Sequence, residues 1–270
     1  MSAFKSEIEK GQRFEFGKNW QSFLTKLTEE RIEIAEASVK EVLDVETLEG
    51  KTVLDIGSGS GLFSLAARRL GANVFSFDYD HQSVACTKEL RSRYFPNDPN
   101  WVIEEGSVLD KKFISQLGKF DIVYSFGVLH HTGSMWEAIE NAASLADSNG
   151  KFHIAIYNDQ GRKSRLWKKV KKYYCSGIFG KIIICSIFVP YFFLRAIASS
   201  IIRRENRFTE YKKMRGMSIT HDWFDWLGGY PFEVATVEEI FHFFRDRGWE
   251  LSNIKTICGL GCNEFTFDRK

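Results

Sequence analysis

The chain has 270 residues, of which 44% are hydrophobic and 15% are aromatic, so it can bury one sizeable core and a smaller attached region. That is more than a binding peptide needs, and we expect one main domain with an elaboration. The net charge of +2 is the balance of 37 basic and 35 acidic side chains, and it gives no overall signal for a nucleic-acid partner.

The five cysteines form no CxxC pair and no His/Cys group with zinc-ligand spacing. A disulfide framework and a bound metal are therefore not expected, and a reducing compartment fits. The first residues, MSAFKSEIEKGQRFEFG, hold no apolar stretch after a basic tip, so no secretory signal is expected. We predict a cytoplasmic protein, with the inner face of the membrane as the alternative location.

Residues 1–48 are predicted to form an N-terminal helical cap. In TEERIEIAEASVKEVL the apolar residues Ile32, Ala35 and Val39 recur at spacings of three and four, which is typical of one buried helix face. Thr28 is the expected N-cap of this helix.

Residues 49–159 alternate between the periods of strands and helices. KTVLDIG is a short apolar strand, GLFSLAARRLG is a helix that Gly71 ends, and ANVFSFDYD is the next strand; the alternation continues through GKFHIAIYN. This pattern predicts an α/β fold with a doubly wound, mainly parallel sheet of seven strands and helices on both faces.

Residues 160–216 break the alternation and are predicted to form an inserted helical lid. QGRKSRLWKKVKKYY is a basic amphipathic helix, and the uncharged run 182–194, which Pro190 interrupts, is shorter than the ~20 residues that cross a bilayer. Three roles stay open. They are peripheral contact of residues 162–202 with an anionic membrane, a lid or dimer contact and, ranked lowest, tRNA binding.

Residues 217–270 are predicted to hold an acceptor-site loop and the last part of the core. In THDWFDWLGGYPFE the polar residues His221 and Asp222 are catalytic candidates, and aromatic rings beside them suit an aromatic acceptor or a sugar. The predicted acceptor-binding rings are Trp223, Trp226 and Tyr230. The alternative is structural, because such rings also pack under a lid and such polar residues also cap helices.

The glycine loop GSGSGLF discriminates between nucleotide ligands by its spacing. It lacks the Lys-Ser/Thr pair of a P-loop, and Gly57, Gly59 and Gly61 alternate strictly, unlike the GxGxxG of dinucleotide sites. Asp55 would place a carboxylate where a pyrophosphate has to lie, but it suits the ammonium group of S-adenosylmethionine. Asp78, at the tip of the next strand, can accept from both ribose hydroxyls, although loop carboxylates also serve as turn acids.

Four segments, VLDIGSGSG, FSFDYD, EEGSVLD and FDIVYSFGVLHHT, resemble the class I S-adenosylmethionine-dependent methyltransferases in order and spacing. The resemblance covers about residues 50–160. It implies that Asp55 and the glycine loop cradle the methionine part of the cofactor, and that Asp78, with Tyr79 beside it, binds the ribose.

The same resemblance implies the adenine side of the pocket. Ser107 and Val108 would flank the adenine, and Phe126 would close the pocket at the end of the fourth strand. The family often has an acid at the position of Ser107, so this chain departs from the family at the contact with the adenine amino group.

The whole chain also resembles a bacterial group that is similar to the ubiquinone-biosynthesis O-methyltransferases. The shared stretches are RFEFGKNW, YNDQG, RGMSITHDWFDWLGGYPFE and GLGCNEF. In the quinone enzymes an arginine on the helix before the sheet reaches the cofactor carboxylate, and the resemblance implies that Arg31 does so here.

The histidine pair in VLHHTG lies just past the predicted fourth strand, at the edge where open α/β sheets bind ligands. Methyl transfer to a hydroxyl needs a base near neutral pH, and histidine suits that task. Because neighbouring residues cannot both face the site, His131 is the predicted base. The alternative is that His130 and His131 bond loop backbone or cap the next helix.

Together these features predict S-adenosylmethionine as the cofactor and methyl transfer, at oxygen, to a small-molecule or lipid-linked acceptor. The alternatives are a non-catalytic cofactor-binding module that acts through a partner and, ranked lower, a tRNA methyltransferase. A triad hydrolase is not supported, because the sequence has no GxSxG elbow. The sequence predicts neither the acceptor nor the number of subunits.

Overall fold

The computed structural model describes residues 3–204 and 219–270, and the described chain is organised around a seven-stranded sheet. The strands are β1 (Thr52–Ile56), β2 (Asn73–Asp78), β3 (Trp101–Glu105), β4 (Phe120–Phe126), β5 (Ala146–Tyr157), β6 (Trp249–Lys255) and β7 (Cys262–Arg269). Their order is β3-β2-β1-β4-β5-β7-β6, and β7 runs antiparallel to β5 and β6 while the other pairs are parallel. The predicted α/β fold with a mainly parallel seven-stranded sheet is confirmed.

Helices precede, connect and follow the strands. They are α1 (Ala3–Glu9), α2 (Gly17–Leu24), α3 (Glu29–Leu43), α4 (Leu62–Arg69), α5 (His81–Tyr94), α6 (Lys111–Gln116), α7 (Met135–Ser144), α8 (Arg162–Cys175), α9 (Ile178–Arg203), α10 (Ile219–Gly228) and α11 (Val237–Arg245). A short 3-10 turn, Leu129–His131, follows β4. α3 has the predicted apolar face, since Ile32, Ala35 and Val39 are all buried, and Thr28 occupies the N-cap position.

Two hydrophobic clusters cover the two faces of the sheet. One joins the sheet to α7 and α11 through residues such as Leu54, Ile139 and Phe244. The other joins the opposite face to α3, α4 and α5, and Trp101 and Leu65 lie at its centre. Burial on both faces explains why the inner strands are continuous apolar runs.

α8 and α9 form a helical hairpin beyond the end of β5. Pro190 was expected to interrupt the apolar run, but α9 continues through it for 26 residues. Within the described part of the chain, α9 is therefore long and apolar enough to span a membrane by length and composition, because an 18-residue window of it has a mean hydropathy of 2.0. The expectation that this segment is too short to cross a bilayer counted only the uncharged run 182–194. The helix is longer because it also includes Lys181 and Arg195, whose side chains are exposed.

Candidate active site

The carboxyl ends of β1, β2 and β4 meet at one edge of the sheet, and the glycine loop follows β1 there. Gly57, Gly59 and Gly61 all have positive φ values, of 77°, 56° and 82°. A Cβ at Gly57 would lie 2.3 Å from the side chain of Val128, and one at Gly61 would lie 3.0 Å from the backbone of Thr87. Only glycine allows this close-packed turn at the start of α4, and the turn fits the backbone approach that the amino acid end of the cofactor needs.

Asp55 lies at the end of β1, beneath the glycine loop. Its carboxylate is buried and accepts a hydrogen bond from the Ser64 hydroxyl of α4. Ser64 is hydrogen-bonded in turn to Ser76 at 2.8 Å, and the indole of Trp101 donates to Ser76. Burial raises the pKa of Asp55 to about 6. The network fixes the carboxylate next to the loop, and its burial makes the negative charge costly until a cation approaches.

Asp78 ends β2 on the other side of the loop and holds the loop in place. Its two carboxylate oxygens accept from the backbone N–H groups of Gly59 and Asp80, each at 2.9 Å. Burial raises the pKa of Asp78 to about 7. Asp78 is thus both a turn acid and a half-buried acceptor beside the glycine loop, since each carboxylate oxygen can accept a second bond.

Tyr79 points away from this pair and toward the N-terminal helices. Its ring packs edge-on against Phe4, with centroids 5.3 Å apart, and the Arg13 guanidinium lies over it. Its hydroxyl donates to Glu7 at 3.3 Å. The structure therefore gives Tyr79 contacts with α1, whereas its predicted contact with a cofactor has no counterpart among them.

The residues predicted at the adenine side separate in the structure. Ser107 is half-buried at the sheet edge, and its hydroxyl accepts from the N–H of Leu109. Val108 is buried in the core beside the sheet, and Phe126 stacks on Phe63 of α4 with centroids 5.2 Å apart. Of the three, Ser107 has a polar, half-buried side chain, while the side chains of Val108 and Phe126 pack in the hydrophobic clusters beside the sheet.

Arg31 has a local role at the turn between α2 and α3. It donates to the backbone carbonyl of Lys26, and its guanidinium lies 5.9 Å from the centre of the Phe23 ring. Neither contact involves the glycine loop. The predicted reach of Arg31 to a cofactor carboxylate is therefore not part of this conformation.

The histidine pair lies in the 3-10 turn after β4, and its two members have different environments. His130 is completely buried, with its ring 4.1 Å from that of Tyr157, and burial holds its pKa well below the usual value. His131 Nδ1 lies 2.6 Å from the backbone carbonyl of Pro231. Because a carbonyl can only accept, Nδ1 carries the proton and the lone pair is on Nε2. Burial lowers the pKa of His131 to about 3, so the ring is a neutral acceptor at physiological pH.

Arg13, in the segment before α2, holds the histidine turn in place by hydrogen bonds. Arg13 donates from its two terminal nitrogens to the backbone carbonyls of His131 and Thr132, at 2.8 and 3.3 Å. Farther along, a Cβ at Gly59 would lie 3.0 Å from Nε1 of Trp20, so the indole covers the glycine loop. Both residues lie in the stretch RFEFGKNW, which the sequence marked only as part of a resemblance, so the positions of Arg13 and Trp20 at the site were not predicted.

An aromatic cluster extends from the histidine turn toward α8 and α10. Tyr157 contacts His131 and Trp226, with ring centroids 5.5 and 5.6 Å apart, and Phe232 lies against both Tyr157 and Trp226. The fully buried Lys171 of α8 donates to the backbone carbonyl of Trp226 and lies over its ring. Trp226 thus belongs to the surroundings of His131, and Tyr157, Phe232 and Lys171 join it there without having been predicted.

The other predicted acceptor-site residues lie elsewhere. The ring of Trp223 contacts Phe192 of α9, and the backbone carbonyl of Tyr230 accepts from Phe14 at 2.8 Å. The backbone of His221 and Asp222 belongs to α10, but their side chains lie outside the described parts of the chain. Of the three predicted acceptor-binding rings, Trp226 therefore lies near the histidine turn, which it reaches through Tyr157.

Comparison with known proteins agrees with this architecture. A family described as a methyltransferase domain matches residues 48–221. The chain is 30% identical over 112 residues to the ubiquinone biosynthesis O-methyltransferase of Coxiella burnetii, covering 42% of this chain and 46% of that protein. The corresponding Caulobacter vibrioides protein is 29% identical over 116 residues, covering 41% and 42%. The chain thus spans less than half of the length of these relatives.

Two solved structures have a similar fold. Magnesium protoporphyrin IX methyltransferase from Synechocystis, with bound S-adenosylhomocysteine, aligns over 94% of both chains with a TM-score of 0.56 and 15% identity. A SAM-dependent methyltransferase from Aquifex aeolicus aligns over 93% of this chain and 98% of its own, with a TM-score of 0.52 and 12% identity. At such identities the likeness concerns the fold.

Proposed function

We propose, on the premise that this chain belongs to the methyltransferase-domain family and is an S-adenosylmethionine-dependent methyltransferase, that it methylates an oxygen atom of a small-molecule or lipid-linked acceptor. One observation carries the choice of oxygen. His131 is held as a neutral acceptor in the turn that follows Val128, and the side chain of Val128 packs against Gly57. A proton acceptor thus lies next to the cofactor loop.

The residues around the glycine loop fit the cofactor. The loop supplies close backbone approach, Asp55 would face the ammonium group, and Asp78 would accept from the ribose hydroxyls. Ser107 would stand beside the adenine. When bound, the cofactor supplies a methyl group on a positively charged sulfur, which is an electrophile that needs no covalent help from the protein.

His131 would take the proton of an acceptor hydroxyl at Nε2. A base with a pKa of about 3 is weak, but it is unprotonated at neutral pH, and burial keeps water from competing for it. As the hydroxyl oxygen forms its bond to the methyl carbon, the O–H proton becomes strongly acidic. A weak base is therefore sufficient to remove that proton in the transition state. The bond from Nδ1 to Pro231 keeps the ring in the required tautomer.

The aromatic cluster would position the acceptor and exclude water. Tyr157, Trp226 and Phe232 offer apolar faces beside His131, and such faces suit a planar or apolar acceptor. The lipid-linked form of the acceptor is favoured by the neighbouring helix α9, most of whose apolar surface is exposed.

The test has a binding step and a transfer step. Calorimetry with S-adenosylmethionine and with S-adenosylhomocysteine should give heat for both, because both share the groups that the site would hold. Incubation with methyl-labelled cofactor and separated aqueous and lipid extracts should then label a base-stable ether product. Binding without any labelled product would favour a non-catalytic module, label in RNA would favour the tRNA alternative, and absence of binding would refute the proposal.

A further inference from the structure

The outer face of α9 is apolar and faces solvent along its whole length. Phe179 is 78% exposed, Leu194 65% and Ile201 71%. With Ile183, Ile187 and Ile197, which are also exposed, they recur at spacings of three, four and seven, so they share one face of the helix. That face extends over 23 residues, from Phe179 to Ile201, or about 33 Å. A soluble surface rarely leaves so long an apolar stripe uncovered.

The surroundings of this face are strongly basic. Between residues 160 and 204 the sequence has eleven lysines and arginines and no aspartate or glutamate. Because the whole chain has a net charge of +2, the rest of the protein is net −9. On α8 the side chains of Arg162, Lys163, Lys169 and Lys172 are exposed. The hairpin therefore combines an exposed apolar stripe with concentrated positive charge on a protein that is otherwise acidic.

We propose that the outer face of α9 docks in the plane of an anionic phospholipid bilayer, with the basic side chains of α8 at the level of the lipid headgroups. Two contributions to the free energy of binding hold an amphipathic hairpin on such a surface. Burial of the apolar stripe in the acyl boundary supplies one, and attraction of lysines and arginines to anionic lipids supplies the other.

Packing against the protein body favours this in-plane arrangement over a spanning one. The inner side of α9 is buried from Gly180 through Ile184 to Ala196, and Trp167 of α8 stacks with Phe188 and Phe192 of α9. To cross a bilayer, the helix would have to give up these contacts or draw the lysines of α8 into hydrocarbon.

Charge favours a membrane over a second copy of the chain. Covering the stripe with the same face of another copy would bring two segments with eleven basic residues each into contact, without an acidic residue between 160 and 204 to offset them. An anionic bilayer offers the opposite charge.

Docking would also bring the proposed acceptor pocket close to the lipid. Ring contacts lead from Tyr157 beside His131 to Trp226, from Trp226 to Trp167, and from Trp167 to Phe188 on α9, with centroids 5.2 to 5.6 Å apart. This inference rests on the proposed function, in which an acceptor dissolved in the bilayer would reach the histidine turn along these aromatic rings.

Vesicle flotation of the full chain tests the docking directly. We expect recovery with vesicles of phosphatidylcholine and phosphatidylglycerol, much less with phosphatidylcholine alone, and a loss of binding at high salt. The double variant Lys169→Glu/Lys172→Glu should weaken partitioning about 100-fold, because it reverses two charges at the headgroup level. The matched control, Lys88→Glu/Lys112→Glu, changes the net charge equally at exposed sites outside the hairpin and should float like the natural protein.

A separate variant and control test the contribution of the apolar stripe to membrane binding. Ile187→Asn/Leu194→Asn should weaken partitioning about tenfold or more, whereas Ile34→Asn, at an exposed isoleucine of α3, should not. Equal recovery with neutral and anionic vesicles, or no recovery with either, would overturn the proposal. So would a dimer, measured by sedimentation, that Ile187→Asn/Leu194→Asn dissociates. Because flotation needs no acceptor, these outcomes are independent of cofactor binding and methyl transfer.

Discussion

Arg13 and His131 are 118 residues apart in the sequence, and Nη1 of Arg13 donates to the backbone carbonyl of His131 at 2.8 Å. The same guanidinium donates to the carbonyl of Thr132 and, through Nε, to Glu7 at 2.6 Å. One planar group with several donors thus ties the histidine turn to α1. A lysine has a single ammonium and cannot make all three contacts in this geometry.

Arg13→Lys should therefore lower kcat about tenfold while leaving the Kd for S-adenosylhomocysteine within about twofold, because the turn is misplaced but the glycine loop is not touched. Steady-state kinetics and calorimetry measure the two quantities. Arg245→Lys is the matched control, since Arg245 bonds to the neighbouring Asp246 at the surface. Equal losses of kcat and cofactor affinity would contradict a positioning role.

His131→Ala should lower methyl transfer about 100-fold at saturating cofactor, because it removes the proposed proton acceptor. The pKa of about 3 predicts that His131 stays neutral as the pH falls from 8 to 5, so the natural protein should keep its kcat across that range. His81→Ala, at an exposed histidine of α5, is the control. An activity that halves near pH 6.5, and does so only while His131 is present, would show that the burial argument is wrong.

Gly59→Ala should weaken cofactor binding at least about tenfold. The φ of 56° disfavours a side chain there, and the new Cβ would lie 3.0 Å from the Trp20 indole. Gly118→Ala separates these effects, because Gly118 also has a positive φ, of 78°, but nothing lies within 4 Å of its Cβ position. The control should lose about 1 kcal/mol of unfolding free energy and no affinity. Unchanged calorimetric affinity in Gly59→Ala would contradict the assignment of the loop.

Cofactor binding should tighten at least about tenfold between pH 5 and pH 8. Burial raises the pKa of Asp55 to about 6 and that of Asp78 to about 7, so both are largely protonated at pH 5 and ionised at pH 8. Only the ionised forms attract an ammonium group and accept from both ribose hydroxyls. Calorimetric titration with S-adenosylhomocysteine measures the change, and an affinity that does not vary with pH would exclude these roles.

A pair of variants assigns that pH dependence to its source. Asp78→Asn should flatten the rise between pH 6 and pH 8, because the amide does not titrate. Asp147→Asn, at an exposed position near the start of β5, should leave the profile unchanged. A rise in affinity between pH 6 and pH 8 that persists unchanged in Asp78→Asn would place the titrating group elsewhere.

The sheet could be predicted because local periodicity determines it. Short apolar runs bounded by glycines gave the strands, and the spacing of Ile32, Ala35 and Val39 gave the buried face of α3. The glycine loop was recognisable for the same reason, since its spacing is a local property of the chain. Each of these features depends on residues fewer than about ten positions apart.

The surroundings of His131 depend on contacts between residues far apart in the sequence, which no local pattern records. Pro231 fixes the tautomer of His131 from 100 residues away, and Arg13 reaches the same turn from the opposite end of the chain. Trp223 and Trp226 are three positions apart on α10, yet one ring meets α9 and the other meets Tyr157. The sequence shows that the rings are present, but the rotation of α10 against its neighbours decides which of them adjoins the histidine turn.

The segment before and within α2 has one further consequence. Its Arg13 fastens the histidine turn, its Gly17 N–H donates to Asp80 at 2.8 Å, and its Trp20 covers the glycine loop. The stretch from Arg13 to Trp20 thus contacts the histidine turn, the N-cap of α5 and the glycine loop. A substitution that displaces this stretch should therefore disturb all three regions together, although the stretch precedes the whole sheet in the sequence.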